Sequence, residues 1–394
     1  MTKIEQKILD RLYSWRYPLF LFIITLLALI IRFLFLPIRS GDFNGFLIHW
    51  FNTLKENGGF LAIKNPIGDY NIPYLTILAG LTYLPISPLI SIKMVSILFE
   101  FIGALFASLI VKKLTKSHHY SNLFSILAYT ITLFLPTVVL NGAAWAQCDF
   151  IYTSFILISF YLLLHTKYSW AFLSYGIALS FKLQAIFVLP ILIIIYLVNR
   201  KFSILNFLLI PLSNLVLSLP ALLLGYPFKK FLLIYFNQTE TYHDLTMNFP
   251  NVYNLINNHY DQLKLPGIIF TLVVVGIFTM TIWCKKIKIS NQQIISYSLW
   301  LIMAITFFLP GMHDRYLFSA DILSIIYFMI YRKNIYLPIF INLASLSTYI
   351  IYLFGMPTSN ILFLSYGYLI VLSIFTYQIF NNIFTSQYEE LDCK

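Results

Sequence analysis

Twelve apolar runs recur along this chain, near 17–36, 91–111, 121–140, 150–165, 168–181, 185–199, 203–225, 266–284, 294–310, 317–331, 335–355 and 361–381. A stretch of about 20 apolar residues matches the hydrocarbon thickness of a bilayer. A chain built almost entirely of such stretches cannot cover itself with a surface that faces water. Composition agrees, with 59% hydrophobic and 10% charged residues among 394, where soluble domains carry roughly 25% charged residues. The expectation is an all-α polytopic membrane protein with about twelve transmembrane helices. Several runs are short, and 168–181 and 185–199 read as two short helices that dip in and out. The first run is too long for a signal-peptide core and no small-residue cleavage site follows it, so it reads as a retained helix. Before it, Lys3, Lys7, Arg11 and Arg16 accompany Ile4, Ile8, Leu9 and Leu12 at helical spacing, the pattern of a short interfacial helix on the cytoplasmic surface.

A net charge of +11 raises the question of nucleic acid, but the Lys and Arg fall in short clusters between apolar runs, as in cytoplasmic membrane loops. With both termini inside, the inner loops hold sixteen Lys and Arg and the outer ones eight, while Arg32 and Lys93 lie in or at the edge of helices. The stretch 73–89, punctuated by Pro73, Pro85 and Pro88, then reads as a juxtamembrane helix in the outer interface. Making it a full span would turn Lys112, Lys113 and Lys116 outward. Asp42, Glu56, Asp69, Asp149, Glu240, Asp244, Asp261 and Asp314 all fall outside, where two long loops, 37–90 and 226–265, are rich in Asn, Tyr, Phe and Pro. Long loops in a compact membrane protein are commonly functional. The chain reads as one membrane domain with a division near residue 226. Cys148, Cys284 and Cys393 show neither C-x-x-C nor zinc spacing, and the last two belong to the cytoplasmic side, where disulfides are rare.

Five constellations bear on chemistry. In Arg39-Ser40-Gly41-Asp42, the carboxylate sits at headgroup level, suited to general-base work; the plainer reading is a helix cap. In Gly68-Asp69-Tyr70-Asn71, Asp69 either meets a sugar hydroxyl or shapes a turn. Asn141 to Asp149 brings Trp145, Gln147 and Asp149 to the same rim, as a sugar-stacking group or as an interfacial anchor. Lys182-Leu183-Gln184 sets a cation between two short helices, either to meet an anion or to snorkel. Gly311 to Tyr316 places His313, Asp314 and Arg315 on one turn, where Arg315's planar fork suits a phosphate; the alternative is an ion pair between neighbours. A base, sugar-binding groups and phosphate-binding cations on one side of one membrane suit sugar transfer from a lipid-linked phosphate.

The order of these pieces, from the first helix to about residue 316, resembles the GT-C glycosyltransferase superfamily, most closely bacterial proteins described as related to the Gpi18 mannosyltransferase. The matching pieces are Gly41-Asp42, Tyr70 to Tyr74, Trp145 to Asp149, Lys182 to Gln184, Asn248 to Tyr253, and Met312 to Tyr316. The sequence departs from the family's pattern in having Ala146 where Gly is frequent, Ile72-Pro73 where two Pro are, and Asp314 where Glu is. The resemblance implies a catalytic module over 1–225 and a variable C-terminal bundle over 226–394. It implies an inverting transferase that uses a polyprenyl-phosphate sugar donor and a glycan, glycolipid or protein acceptor. Asp42 would be the base, and Arg315, His313 and Lys182 would hold the donor phosphate. Asp69, Tyr70, Trp145, Gln147, Asp149, Gln184, Asn248 and Asn251 would contact substrate. No aspartate pair demands a metal, and no cofactor is expected. The rivals are a polysaccharide polymerase or ligase, a lipid-glycan flippase with ionisable groups near the midplane (Arg32, Glu100 and Asp321 are the candidates), and a non-catalytic partner of a cell-wall complex.

Overall fold

The computed structural model describes residues 1–239, 243–256 and 259–391. Glu240, assigned above to the outer side, and Cys393 and Lys394, assigned to the inner side, lie outside the described residues. Every one of the twelve apolar runs falls on helix. Six helices are long and apolar enough to cross a bilayer, and a seventh if Ser121–Phe134 and Pro136–Ala144, bent by 48°, form one span. Asp149–Leu164, Leu183–Asn199 and Phe318–Tyr331 are shorter apolar helices. Together the helices mark an all-α polytopic membrane protein. Strand pairing among the described residues is limited to Thr246–Met247 running parallel to Met312–His313.

The first helix, α1 (Lys3–Phe35), corrects the expectation of a separate interfacial helix over 1–16. Thr2 and Glu5 close a capping box, with the Glu5 amide donating to Thr2 Oγ1 at 3.2 Å and the Thr2 amide to Glu5 Oε2 at 2.6 Å. The helix nucleated there runs on through Pro18 into the apolar run. Its 33 residues extend about 50 Å, well beyond a hydrocarbon core of about 30 Å.

After α1 come two short helices, α2 (Ile48–Glu56) and α3 (Ile72–Leu81). The helix expected over 73–89 therefore ends at Leu81. Pro85 and Pro88 disfavour helix at the residues before them, and Ser87 starts the next helix, α4 (Pro88–Leu114), by accepting from the Ile90 amide. Ten residues in α3 reach about 15 Å, half of a hydrocarbon core.

The bundle continues with α5 (Ser121–Phe134), α6 (Pro136–Val139), α7 (Asp149–Leu164), α8 (Tyr168–Phe181), α9 (Leu189–Asn199) and α10 (Leu209–Leu223). Beyond residue 226 follow α11 (Phe228–Thr239), α12 (Tyr260–Cys284), α13 (Asn291–Phe308), α14 (Phe318–Tyr331), α15 (Tyr336–Phe354) and α16 (Ile361–Leu391). One buried apolar core runs from Phe43 to Ile383, across residue 226.

Two buried cations near the end of α1 are matched. Arg32 donates to Glu100 Oε2 at 2.5 Å and to the carbonyls of Ala28 and Leu133, each at 2.9 Å. Lys93 donates to the carbonyls of Phe35, Leu36 and Ile38 at 2.6–3.1 Å. Those are the orphan carbonyls at the end of α1, where a cation also complements the helix dipole. The C-terminal ends of α1, α8 and α15 and the N-terminal ends of α4, α7 and α14 thus meet at one end of the bundle.

Candidate functional site

At that end three other segments converge on Asp42. Trp145 Nε1 donates to Asp42 Oδ2 at 2.9 Å, and Gln147 Nε2 to the same oxygen at 2.6 Å. The Tyr352 hydroxyl, from the end of α15, donates to Oδ1. Arg315 Nη2 lies 3.7 Å from Oδ2. Asp42 does not cap a helix, because its side chain bonds no backbone amide there. Ser40 takes that role: its hydroxyl accepts from the Phe43 amide at 3.1 Å and donates to the Trp145 carbonyl at 2.7 Å. The carboxylate is left free to face its side-chain donors, and it keeps 18% of its surface exposed.

Local backbone geometry sets up this meeting. The two π turns among the described residues, Phe43–Leu47 and Leu140–Ala144, directly follow Asp42 and directly precede Trp145. Such turns widen a helix by one residue, redirect side chains, and are frequent at functional sites. Ala146 then adopts φ +65°, in the left-handed region, which turns the chain before α7. Ser96 anchors the turn by donating to the Gln147 carbonyl at 2.7 Å.

Around the carboxylate lies a charged network. Gln147 Oε1 accepts from the Tyr70 hydroxyl at 2.9 Å and from Arg315 Nη1. Asp149 Oδ1 accepts from Lys182, while Oδ2 accepts from Asn141 at 2.7 Å and faces Arg315 at 3.6 Å. Asn141 donates in turn to the Tyr349 hydroxyl at 3.0 Å. The Arg315 guanidinium lies 4.9 Å from the Trp145 ring centroid, in cation–π range. Burial works against the charge of Arg315, but Asp149, Tyr70, Asp314 and Asp42 outweigh it and hold its proton well above the ordinary guanidinium range. Burial pushes the Tyr70 phenol well up, so Tyr70 acts as a neutral donor. The Tyr316 phenol is pushed up to about 12, chiefly by burial.

The sequence-derived residues divide three ways. Asp42, Tyr70, Trp145, Gln147, Asp149, Lys182 and Arg315 come together in this one cluster. Trp145, Gln147 and Asp149 are each only 1% exposed, so they form the wall that holds Asp42 and the cations rather than an open face. Trp145 in particular stacks on Tyr352, with centroids 4.4 Å apart and planes 13° apart, and meets Tyr349 edge-on.

His313 and Gln184 sit beside the cluster. His313 Nδ1 is 3.0 Å from Asp314 Oδ1, and Gln184 meets the Tyr316 hydroxyl. The alternative reading of this turn, an ion pair between Asp314 and Arg315, has loose geometry, with 3.5 Å from Nε to Oδ1, because side chains on adjacent residues diverge.

Asp69, Asn248 and Asn251 do not join the cluster. Asp69 is exposed, and it is its backbone carbonyl that accepts from Gln238, at 2.7 Å. Asn248 turns the chain at φ +52°. Asn251 accepts from the Tyr253 amide at 3.1 Å, which shapes a turn that Tyr253 fixes by donating to the Phe308 carbonyl at 2.7 Å. Asn248 and Asn251 build the loop that the strand pairing ties to Met312–His313.

Tyr349, Tyr352 and the role of Asn141 were not identified from sequence. With 28 tyrosines in the chain, two near the end of an apolar helix carry no signal of their own. Only their spacing of three, which puts both on one face of α15, sets them apart.

Among the described residues no group of three or more His, Cys, Asp or Glu side chains is placed to hold a metal ion. No known protein-family model matches the sequence, and no curated protein matches it.

Proposed function

We propose that this protein is an integral membrane glycosyltransferase of the GT-C type. In this reading about twelve spans leave both termini in the cytoplasm and the Asp42 end of the bundle outside the cell membrane. A sugar moves from a polyprenyl-phosphate donor to a hydroxyl of a glycan, glycolipid or protein acceptor, with inversion. One observation carries the reading: a single partly exposed carboxylate, Asp42, stands 3.7 Å from the guanidinium of a largely buried arginine, Arg315.

The chemistry uses both groups. Asp42 takes the proton of the acceptor hydroxyl as that oxygen attacks the anomeric carbon. The bond from that carbon to the phosphate oxygen breaks, and its electron pair goes to the leaving phosphate. Arg315 meets the growing charge. It retains capacity for this, since among the described residues Nη2 makes no polar contact shorter than the 3.7 Å to Asp42 Oδ2. Lys182 spends one of its three N–H donors on Asp149, and His313, 23% exposed, lies on the adjoining strand. Next to Asp42 a mainly apolar recess of about 280 Å³, lined by Leu36, Pro37, Phe43, Ile48, Leu89 and the cation of Arg39, suits a lipid-borne substrate.

The transporter alternative is less well supported. Arg32 and Glu100 are locked on each other and on backbone carbonyls, and Asp321 accepts from Ser345 at 2.7 Å. None of the three faces an open path.

The test is direct. Purified protein is expected to transfer sugar from a synthetic polyprenyl-phosphate sugar and to ignore nucleotide sugars. Asp42→Asn, which keeps size but removes the proton acceptor, is expected to lower turnover by about 100-fold or more while protein level and donor binding persist. Transfer from a nucleotide sugar alone, or full turnover in Asp42→Asn, would sink the proposal.

A further inference from the structure

Helix α15 belongs to the C-terminal bundle, which the resemblance leaves out of the catalytic module. Yet Tyr352 on it reaches back across 310 positions to donate to Asp42 Oδ1. A carboxylate oxygen offers two lone-pair directions. On Asp42, Oδ2 has both directions taken, by Trp145 Nε1 at 2.9 Å and Gln147 Nε2 at 2.6 Å. Tyr352 takes one direction on Oδ1, which leaves a single direction for an incoming hydroxyl.

One further contact and two neighbouring features hold the tyrosine there. Its ring stacks on Trp145, the same residue whose N–H holds Oδ2. Tyr349, one turn earlier, packs edge-on against Trp145 and accepts from Asn141. Gly41 makes room, for a β-carbon on it would stand 3.2 Å from the Tyr352 hydroxyl oxygen, tight enough that the hydroxyl would have to shift.

We infer that Tyr352 is a positioning residue for Asp42, fixing the carboxylate so that one lone pair of Oδ1 is presented to the acceptor hydroxyl. The inference rests on the reading of Asp42 as the base. It makes α15 part of the reaction centre, and it gives Gly41 a function as the space that lets the tyrosine approach.

The experiment combines a double-mutant cycle with a readout that needs no turnover. Tyr352→Phe keeps the stacked ring and removes only the O–H. It is expected to lower kcat by about 10-fold or more with donor KM within about 2-fold, since ground-state binding is untouched. Gly41→Ala is expected to lower kcat modestly in the wild-type background but to add little to Tyr352→Phe, because the added methyl acts through the hydroxyl that Phe lacks. In parallel, modification of Asp42 by a water-soluble carbodiimide is followed by mass spectrometry, and it is expected to run several-fold faster in Tyr352→Phe. Wild-type kcat and wild-type labelling in Tyr352→Phe would overturn the inference, as would fully additive losses in the cycle. Absence of sugar transfer by the wild-type protein would overturn the transferase reading instead, and the labelling rates would still decide whether Tyr352 holds Asp42.

Discussion

At the scale of single residues, Arg315 and Ala146 show opposite kinds of constraint. Arg315 acts through its shape: one N–H on Gln147, one amine near Asp42, a face on Trp145 and its Nε–H toward Asp314. A lysine keeps the charge but has neither the fork nor the flat face. Arg315→Lys is therefore expected to cut kcat/KM for the lipid donor by about 10-fold or more, and that for the acceptor by less. Equal losses for both substrates would remove Arg315 from the donor side. Ala146 acts through its backbone. The left-handed conformation costs a non-glycine residue about 1–2 kcal/mol, while its fully buried methyl contributes roughly 0.8 kcal/mol. The two nearly cancel, so Ala146→Gly is expected to be neutral within about 1 kcal/mol in thermal unfolding in detergent. Ala146→Val adds volume and β-branching where neither is accommodated, and it is expected to cost more than about 2 kcal/mol. The same balance explains why glycine suits this position in the pattern the sequence resembles.

At the scale of elements, α1, α4 and α5 are joined by a buried ion pair. Arg32 and Glu100 are each 1% exposed, and Gly142 leaves room for the pair, since a β-carbon there would lie 2.0 Å from Glu100 Oε1. A buried pair is worth little over an apolar replacement, but losing one partner strands a charge and costs about 3–5 kcal/mol. Arg32→Met and Glu100→Leu alone are expected to lower thermal stability by amounts in that range, and the double variant to recover most of the loss. A double variant as unstable as the sum of the singles would show that the bonds from Arg32 to Ala28 and Leu133, rather than the pair, matter most. Lys93 works alike on the end of α1, and so fixes the chain that leads into Asp42.

At the scale of the whole molecule, helix direction gathers the site. Chain ends that alternate along the bundle bring residues 39–42, 145–149, 182, 315 and 352 to one end, and the basic clusters at Lys112–Lys116, Arg200–Lys201, Lys285–Lys288 and Arg332–Lys333 follow or precede the opposite helix ends. Basic loops stay in the cytoplasm, so the two ends are expected to label differently. In a chain with Cys284 and Cys393 replaced by Ser, cysteines in place of Asp69 and Lys264 should react with an impermeant reagent from outside, and one in place of Lys286 should not. Outside labelling at Lys286 would invert the orientation and bring the Asp42 end inside.

The sequence by itself determined the membrane class of the protein and where its twelve apolar runs form helix, because hydropathy and helical period are local properties of the chain; it did not show that α1 begins at Lys3, that α3 ends at Leu81, or that α2 and α11 form. It also singled out most of the cluster, from Asp42 through Trp145 and Lys182 to Arg315, since polar residues at the ends of apolar runs are few. Tertiary structure alone decided what those residues touch. That Asp69, Asn248 and Asn251 shape loops while Asp42 faces three donors, and that Trp145 is a wall rather than an open platform, depends on packing between segments far apart in the chain. So does Tyr352: whether one tyrosine among many meets a carboxylate 310 positions away depends on how α15 packs on α6 and α14, and no local pattern carries that information.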